Sequence, residues 1–250
     1  MNDQIVGFIL KQLDYRDNDY ILTVFTNEYG KMSFIVAGAK KMASKNRGST
    51  LPLTKVEIQY DHKQNQSMFR LKTAKSMHLY RNIHEDLEKS NAANVIAEIA
   101  DALSLAMNED DNAQEIYQKI DLAFQALEDN HDIKTVLSLY LVDMMQIYGI
   151  LPDVDECVSC GNTVVSAIST HEGGFLCKNC ANRFNMKEST NEDLKRFRLL
   201  VKGGLEHLDI IESATKATFD DLTILKDITE KYTGFQFKSL ALFYRLFGIE

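Results

Sequence analysis

The residues best suited to chemistry are four cysteines inside one 24-residue window, Cys157-x2-Cys160 and Cys177-x2-Cys180, with sixteen residues between the pairs. Each CxxC places two sulfurs on one tight turn, and two turns complete a tetrahedron around an ion. This is the spacing of a four-thiolate zinc site. Gly161 after the first pair and Gly173-Gly174 before the second favour the turns. The competing readings are two disulfides or a redox dithiol. Disulfides do not suit a cytoplasmic chain, and a redox CxxC comes singly beside a βαβ pattern that is absent here. Four thiolates close the coordination sphere, so one structural zinc is expected rather than a catalytic ion with an open position. His171 falls inside the window and reads as a surface-loop residue.

A second group could bind anions. The run Gly38 to Ser49 holds Lys40, Lys41, Lys45 and Arg47, no acid, and glycines at positions 38 and 48. Such cations would contact phosphates and carry no base readout; a solvated loop is the plain alternative. Arg70 and Lys72 alternate with Phe69 and Leu71, which puts both cations on one strand face and extends the candidate patch.

The elements that must position these groups change along the chain. Residues 4–80 read as five strands. Alternation runs through Ile5–Leu10, a β-branched and aromatic stretch spans Tyr20–Thr26, and further strands fall at Lys31–Ala37, Leu53–Tyr60 and Gln66–Thr73. Turn residues separate them, which suggests a small barrel or sandwich. An oligonucleotide-binding (OB) barrel binds strands along one face and its flanking loops. From residue 83 the period becomes helical, with stripes at Ile96, Ile99, Ala100, Leu103 and Met107, at Ile116, Ile120, Ala123 and Leu127, and at Ile133 to Tyr148. Such stripes are core faces. Gly149 and Pro152 end the run, and the cysteine window follows. Beyond it, Thr190 or Asn191 offers a helix cap. Lys195, Arg198 and Lys202 share a helix face that Gly203-Gly204 terminates, and two more helices fall near Phe219–Tyr232 and Phe237–Phe247.

Charge divides along the same lines. The 250 residues carry 28 basic and 36 acidic side chains, a net of -8. Residues 1–80 hold 12 basic and 7 acidic groups, residues 81–156 hold 4 and 17, and residues 157–250 hold 12 and 12. The overall acidity argues against a nucleic-acid binder, but its distribution asks for one anion-binding module and one acidic module. The expected division is a β-barrel over 1–80, an acidic helical segment over 81–156, a four-cysteine zinc module over 157–186 and a second helical segment over 187–250. The longest uncharged run, Cys157 to His171, is 15 polar residues, too short for a membrane span. The first residues, Met1-Asn2-Asp3-Gln4, lack the basic start of a signal peptide. A cytoplasmic location is the expectation.

No phosphate loop GxxxxGK[ST], GxGxxG, GxSxG elbow or HExxH occurs, and the six histidines are scattered. Adjacent acids such as Asp110-Asp111 and Asp220-Asp221 would diverge on a helix. No residue set nominates a reaction, and a non-enzymatic protein is expected.

The order of parts resembles the bacterial DNA repair protein RecO family. The resemblance is carried by Asp14-Tyr15-Arg16-Asp17-Asn18-Asp19 with Ile21-Leu22-Thr23-Val24-Phe25-Thr26. Gly30-Lys31 leading through Val36-Ala37-Gly38-Ala39-Lys40-Lys41 to Ser44-Lys45, Arg47-Gly48 and Leu51-Pro52-Leu53 adds to it, as does Phe237-Lys238-Ser239-Leu240. The CxxC pairs stand where many members carry a zinc ribbon. The resemblance implies an α+β multidomain protein, a five-stranded OB-fold β-barrel followed by an all-α helical domain with an inserted four-cysteine zinc-ribbon module. It implies binding to single- and double-stranded DNA, strand annealing, partnership with RecR and SSB, and help in loading RecA on gapped DNA, near the nucleoid. Annealing needs cations that screen two backbones and contacts that leave bases free to pair. Lys40, Lys41, Lys45 and Arg47 fit the first need. Phe34, Tyr20 and Tyr60 could stack bases, but strand aromatics are more often core. The SSB tail is acidic with an apolar end, so Lys195, Arg198 and Lys202 are its candidate receptor; a solvated helix face is the alternative. A zinc-containing OB-fold accessory protein of transcription or translation, without annealing activity, is the competing function.

Overall fold

Strand β1 (Asn2–Tyr15) is 14 residues long, and that length closes the N-terminal sheet on itself. Residues 7–15 of β1 pair with β2 (Asp19–Thr26), and residues 2–8 pair with β4 (Lys55–Asp61), after β3 (Gly30–Val36) has followed β2. Gly7 sits where the two ladders meet. A Cβ there would lie 2.5 Å from Val24 Cγ1 and 2.7 Å from the Phe25 carbonyl oxygen, so no larger residue fits this close approach. A register shift between Ile9 and Lys11 adds the bend. With β5 (Phe69–His78) the order is β1-β2-β3-β5-β4 in a closed barrel, antiparallel except for the parallel β3–β5 pair. This is the five-stranded OB architecture. These features belong to a computed structural model that describes residues 2–41, 44–61, 67–103 and 112–249.

The alternation in the sequence is what fills the barrel. Ile5, Ile9, Leu22, Val24, Met32, Phe34, Val56, Ile58, Tyr60 and Leu71 form its core, while Lys55, Glu57 and Gln59 on β4 lie outside. Strand β5 begins later than expected and runs five residues past Thr73. Its second half has little hydrophobic alternation; pairing with β4 along Lys55–Gln59 makes it a strand. Gln66 lies outside the described residues.

Two compact units emerge. The first joins residues 1–128 with 237–250, the second spans 129–236. These boundaries differ from the ranges 1–80, 81–156, 157–186 and 187–250 expected from charge and composition. In the first unit, α1 (Arg81–Glu85), α2 (Leu87–Leu103) and α3 (Ala113–Glu128) pack with the barrel. Phe8 faces outward from β1 into Tyr117, Phe124 and Tyr80, with ring centroids 5.0, 5.5 and 6.5 Å away. The chain's last helix also belongs to this unit, its start held by the Glu98 carboxylate of α2, which accepts from the Lys238 and Ser239 backbone amides at 3.2 and 2.7 Å. That position suits an anion, since the first amides of a helix lack partners.

The second unit is built on α4 (Ile133–Ile147), in which every residue from Thr135 to Met145 is buried. Asp132 caps it, accepting from the Thr135 amide at 3.0 Å. Strands β6 (Ala167–Ser169) and β7 (Gly174–Leu176) form a hairpin, followed by α5 (Lys178–Arg183). Helices α6 (Asn191–Gly203), α7 (Leu208–Ala214) and α8 (Phe219–Thr233) surround α4. Thr190 with Asp193, and Thr218 with Asp221, form capping boxes. The expected cap at Thr190 is thus in place. The last helix, in the first unit, is α9 (Lys238–Leu246). Among the described residues, no helix is long and apolar enough to cross a membrane.

Candidate metal centre and nucleic-acid interface

Two turns carry the thiols. In the first, the Cys160 and Gly161 amides both donate to the Cys157 carbonyl, at 3.2 and 2.8 Å, and Gly161 takes φ +73°. In the second, Cys177 is the N-cap of α5 and Cys180 lies in its first turn. The β6–β7 hairpin fixes the turns together, because the Val158 amide donates to the Phe175 carbonyl at 2.9 Å. Gly174 is pressed against the segment before the first turn. A Cβ there would meet the Asp153 carbonyl oxygen at 2.3 Å and Val158 Cγ1 at 2.6 Å.

All four Sγ atoms lie within 4.8 Å of one another. None is in a disulfide, and Cys160 and Cys177 are 3.6 Å apart. The edge of a tetrahedron with ~2.3 Å metal–sulfur bonds is ~3.8 Å, against ~2.05 Å for a disulfide. The group is therefore already shaped to hold one ion. Its electrostatics agree. Burial works to raise the Cys157 thiol, but backbone groups of Cys177, Ser159 and Cys160 outweigh it and bring the thiol down to about 6. At Cys160 the Asn162 backbone favours the thiolate, yet the three neighbouring cysteines prevail and push the thiol up to about 12. Four sulfurs this close cannot all ionise alone. A cation removes that conflict, since metal binding and thiol deprotonation are one linked event. The four cysteines can bind a metal ion. His171, 83% exposed and 2.6 Å from Glu172, is a surface residue as expected.

The basic loop lies on the barrel and is held by a residue that the sequence does not single out. Asn46 donates from Nδ2 to the Lys72 carbonyl at 3.1 Å, and its Oδ1 accepts from the Ala74 amide at 3.1 Å. Strands β3 and β5 pair only at Phe34–Phe69 and Ile35–Arg70. Beyond that point the Asn46 side chain serves β5 as a short substitute strand, bringing the loop beside Lys72. An Asn inside a lysine-rich loop gives no periodic signal, which is why sequence reasoning passes over it.

The expected phosphate ligands divide accordingly. Lys41 and Lys45 are exposed and form no ion pair among the described residues, and the same holds for Arg70. Lys40 lies 3.1 Å from Asp14 and 5.4 Å above the Tyr20 ring. Lys72 pairs with Asp61. The Arg47 side chain lies outside the described residues. Both pairs are partly open to water, and such pairs are weak enough for a phosphate to replace the carboxylate. Phe34 and Tyr60 are buried in the barrel core, with centroids 5.4 Å apart, and offer no free face to a base.

Three other barrel cations are occupied in a way the sequence conceals. Lys11 and Lys31 both reach Asp101 of α2, Lys31 at 3.1 Å, and Lys55 reaches Asp121 of α3 at 2.7 Å. Asp121 also accepts from the Tyr80 hydroxyl at 3.1 Å. Acidic helices thus neutralise part of the barrel's own excess. In the second unit the cationic stripe is divided too. Arg198 donates to the Val154 carbonyl at 2.7 Å and lies 5.2 Å over the Phe175 ring, and Lys202 pairs with Asp155 at 2.6 Å. Of the three, Lys195 alone is exposed without an ion pair among the described residues.

An OB-type barrel with a pinned basic loop, joined to a helical unit bearing a four-cysteine module, defines the class of protein. Residues 1–80 match the family described as Recombination protein O N terminal, and residues 84–241 match Recombination protein O C terminal. The chain belongs to the Recombination protein O family. It is similar to a protein named DNA repair protein RecO from Halalkalibacterium halodurans, 27% identical over 93% of this chain and 91% of that one. Proteins of the same name from Enterococcus faecalis and Thermoanaerobacter are 23% and 25% identical, each over 93% of this chain and over 88% and 93% of theirs.

Proposed function

We propose that this chain is a DNA-binding mediator of recombinational repair that acts by holding and annealing strands rather than by catalysing a reaction. The observation that carries the reading is the Asn46-anchored loop, which carries the exposed Lys41 and Lys45 and is fastened to β5, the strand that bears the exposed Arg70, on an OB barrel in a chain of this family. Lys40, Arg47 and Lys72 complete the proposed surface. Cations of this kind can follow a phosphate backbone while the bases stay free to pair. The same surface then serves single and double strands. The four thiolates hold one structural zinc, which ties the hairpin to α5. RecR and SSB are the proposed partners, and through them the loading of RecA on gapped DNA, in the cytoplasm at the nucleoid. For the acidic SSB tail, Lys195 is the freest cation of the stripe, with Arg198 and Lys202 available once their contacts to Val154 and Asp155 open.

The test is annealing of complementary strands precoated with SSB. The wild type accelerates it, and a chain with Lys40, Lys41, Lys45 and Arg47 all changed to Ala loses that acceleration with its metal content unchanged. A folded wild type that leaves the annealing rate unaltered refutes the proposal, and so favours the accessory-protein reading. Charge reversal at Lys195 weakens binding of an SSB-tail peptide; an unaltered affinity assigns that helix face to solvent.

A further inference from the structure

The metal module carries a surface that neither the thiolates nor the basic loop accounts for. Helix α5 ends just after the last cysteine. The Phe184 amide donates to the Cys180 carbonyl at 3.1 Å, Asn185 takes φ +53°, and the Met186 amide returns to the Ala181 carbonyl at 2.9 Å. This is a left-handed helix stop, and it ties the Phe184 backbone to the turn that carries Cys180. Phe184 is nevertheless 42% exposed. It lines a depression of about 380 Å³ together with Met186 and the hairpin turn Ser169–Glu172. Arg183 and Lys187 directly adjoin Phe184 and Met186 in the chain, both exposed and without an ion pair among the described residues. The one carboxylate in the lining, Glu172, is engaged by His171 at 2.6 Å.

An open aromatic face, a cavity large enough for a planar ring and two exposed cations adjacent in the chain match the requirements of single-strand binding. A base stacks on the ring while the charges meet adjacent phosphates, and the contact tolerates any sequence. We infer that this corner of the metal module is a second single-strand contact, in which Phe184 stacks a nucleobase and Arg183 and Lys187 neutralise the flanking phosphates. The inference rests on the DNA-binding reading above and adds to it. One strand follows the cations of the barrel, and an unpaired base engages the metal module. Duplex DNA, whose bases are already stacked, does not use the site.

The experiment measures equilibrium binding of a short fluorescent single strand and of its duplex to the full chain loaded with zinc, comparing wild type with Phe184→Leu, Phe184→Tyr and the double change Arg183→Ala with Lys187→Ala. Zinc content reports that the module stays folded. Phe184→Leu keeps the apolar volume and removes the π face, so single-strand affinity falls about five- to 150-fold while duplex affinity holds. Phe184→Tyr retains both. The double change lowers the single-strand salt slope by ~1.4. Full single-strand affinity in Phe184→Leu, or an equal loss on duplex, overturns the inference and leaves the barrel site standing; a peptide-binding role for this face would give the first of these results. A wild type that binds neither DNA overturns the DNA-binding reading, and this inference with it.

Discussion

Residues 1–80 contain 12 basic side chains, and the structure sorts them by use. Lys41 and Lys45 are exposed and unpaired among the described residues, whereas Lys11 and Lys31 share Asp101, with side chains 43% and 22% exposed. Replacing Lys41 and Lys45 by Gln and replacing Lys11 and Lys31 by Gln remove the same formal charge from the same barrel. The effects on DNA should differ sharply. Each phosphate contact on a single strand contributes ~0.7 to the slope of log affinity against log salt, so at ~0.1 M salt one contact is worth about fivefold and two about 25-fold. On duplex the slope is ~0.9 per contact, or about 60-fold for two. The Lys41/Lys45 variant should therefore bind a single strand about 25-fold more weakly at ~0.1 M salt, with a slope lower by ~1.4, and melt like wild type. The Lys11/Lys31 variant should keep the wild-type slope but lose about 1–2 kcal/mol of stability, because the partly buried Asp101 loses these two charged donors. Fluorescence anisotropy across a salt series, with thermal melts of the same samples, measures both. Equal slopes in the two variants would show that net charge, not the pinned loop, sets affinity, and the site assignment would fail.

Three more outcomes follow from the same contacts. Asn46→Ala removes two hydrogen bonds and strands the Ala74 amide; it should lower stability by about 1–2 kcal/mol and weaken DNA binding with no change of charge, and full wild-type affinity would dismiss its role as an anchor. At Asp101, burial works to raise the carboxyl, but hydrogen bonds from Lys11 and Lys31, and their charge, hold it below the usual carboxylate range. Its contribution is thus present above the unfolded value of ~3.9 and lost as pH falls through the lower folded value, so Asp101→Asn should flatten the acid limb of a stability–pH curve, and an unchanged limb would contradict the pairing. Metal analysis should find about one zinc per chain by the four-ligand count, with affinity rising with pH as thiols give up protons. Cys157→Ser should lose the ion, and retention of a full equivalent would refute the four-thiolate site.

The cysteine site was legible because metal ligation imposes a local spacing, and two turns need little beyond their own glycines. The barrel strands were legible for a similar reason, since Val56, Ile58 and Tyr60 alternate with Lys55, Glu57 and Gln59 on a pleat that buries one face. Pairing information was not legible. The second half of β5 is a strand only because β4 lies beside it. The short helices α1, α5 and α7, of five to seven residues, are too brief for a period to show. The fate of each cation was hidden as well. Lys11 and Asp101 are 90 positions apart, and no local pattern distinguishes a lysine bound to a distant carboxylate from one facing water.

That last point changes the meaning of the charge division. With 17 acids against 4 bases, residues 81–156 look like a separate acidic module that would repel a backbone. In the structure α2 and α3 belong to the same compact unit as the barrel, and their Asp101 and Asp121 take up Lys11, Lys31 and Lys55. The acids act as internal counterions over one part of the barrel surface and leave Lys41, Lys45 and Arg70 among the exposed cations without an ion pair among the described residues. An acidic protein can hold DNA on this design because affinity follows the few cations free to displace counterions from phosphate, not the net charge of the chain. On the proposed DNA-binding reading, a strand is expected to keep to the loop's side of the barrel, since any path across α2 or α3 would meet carboxylates.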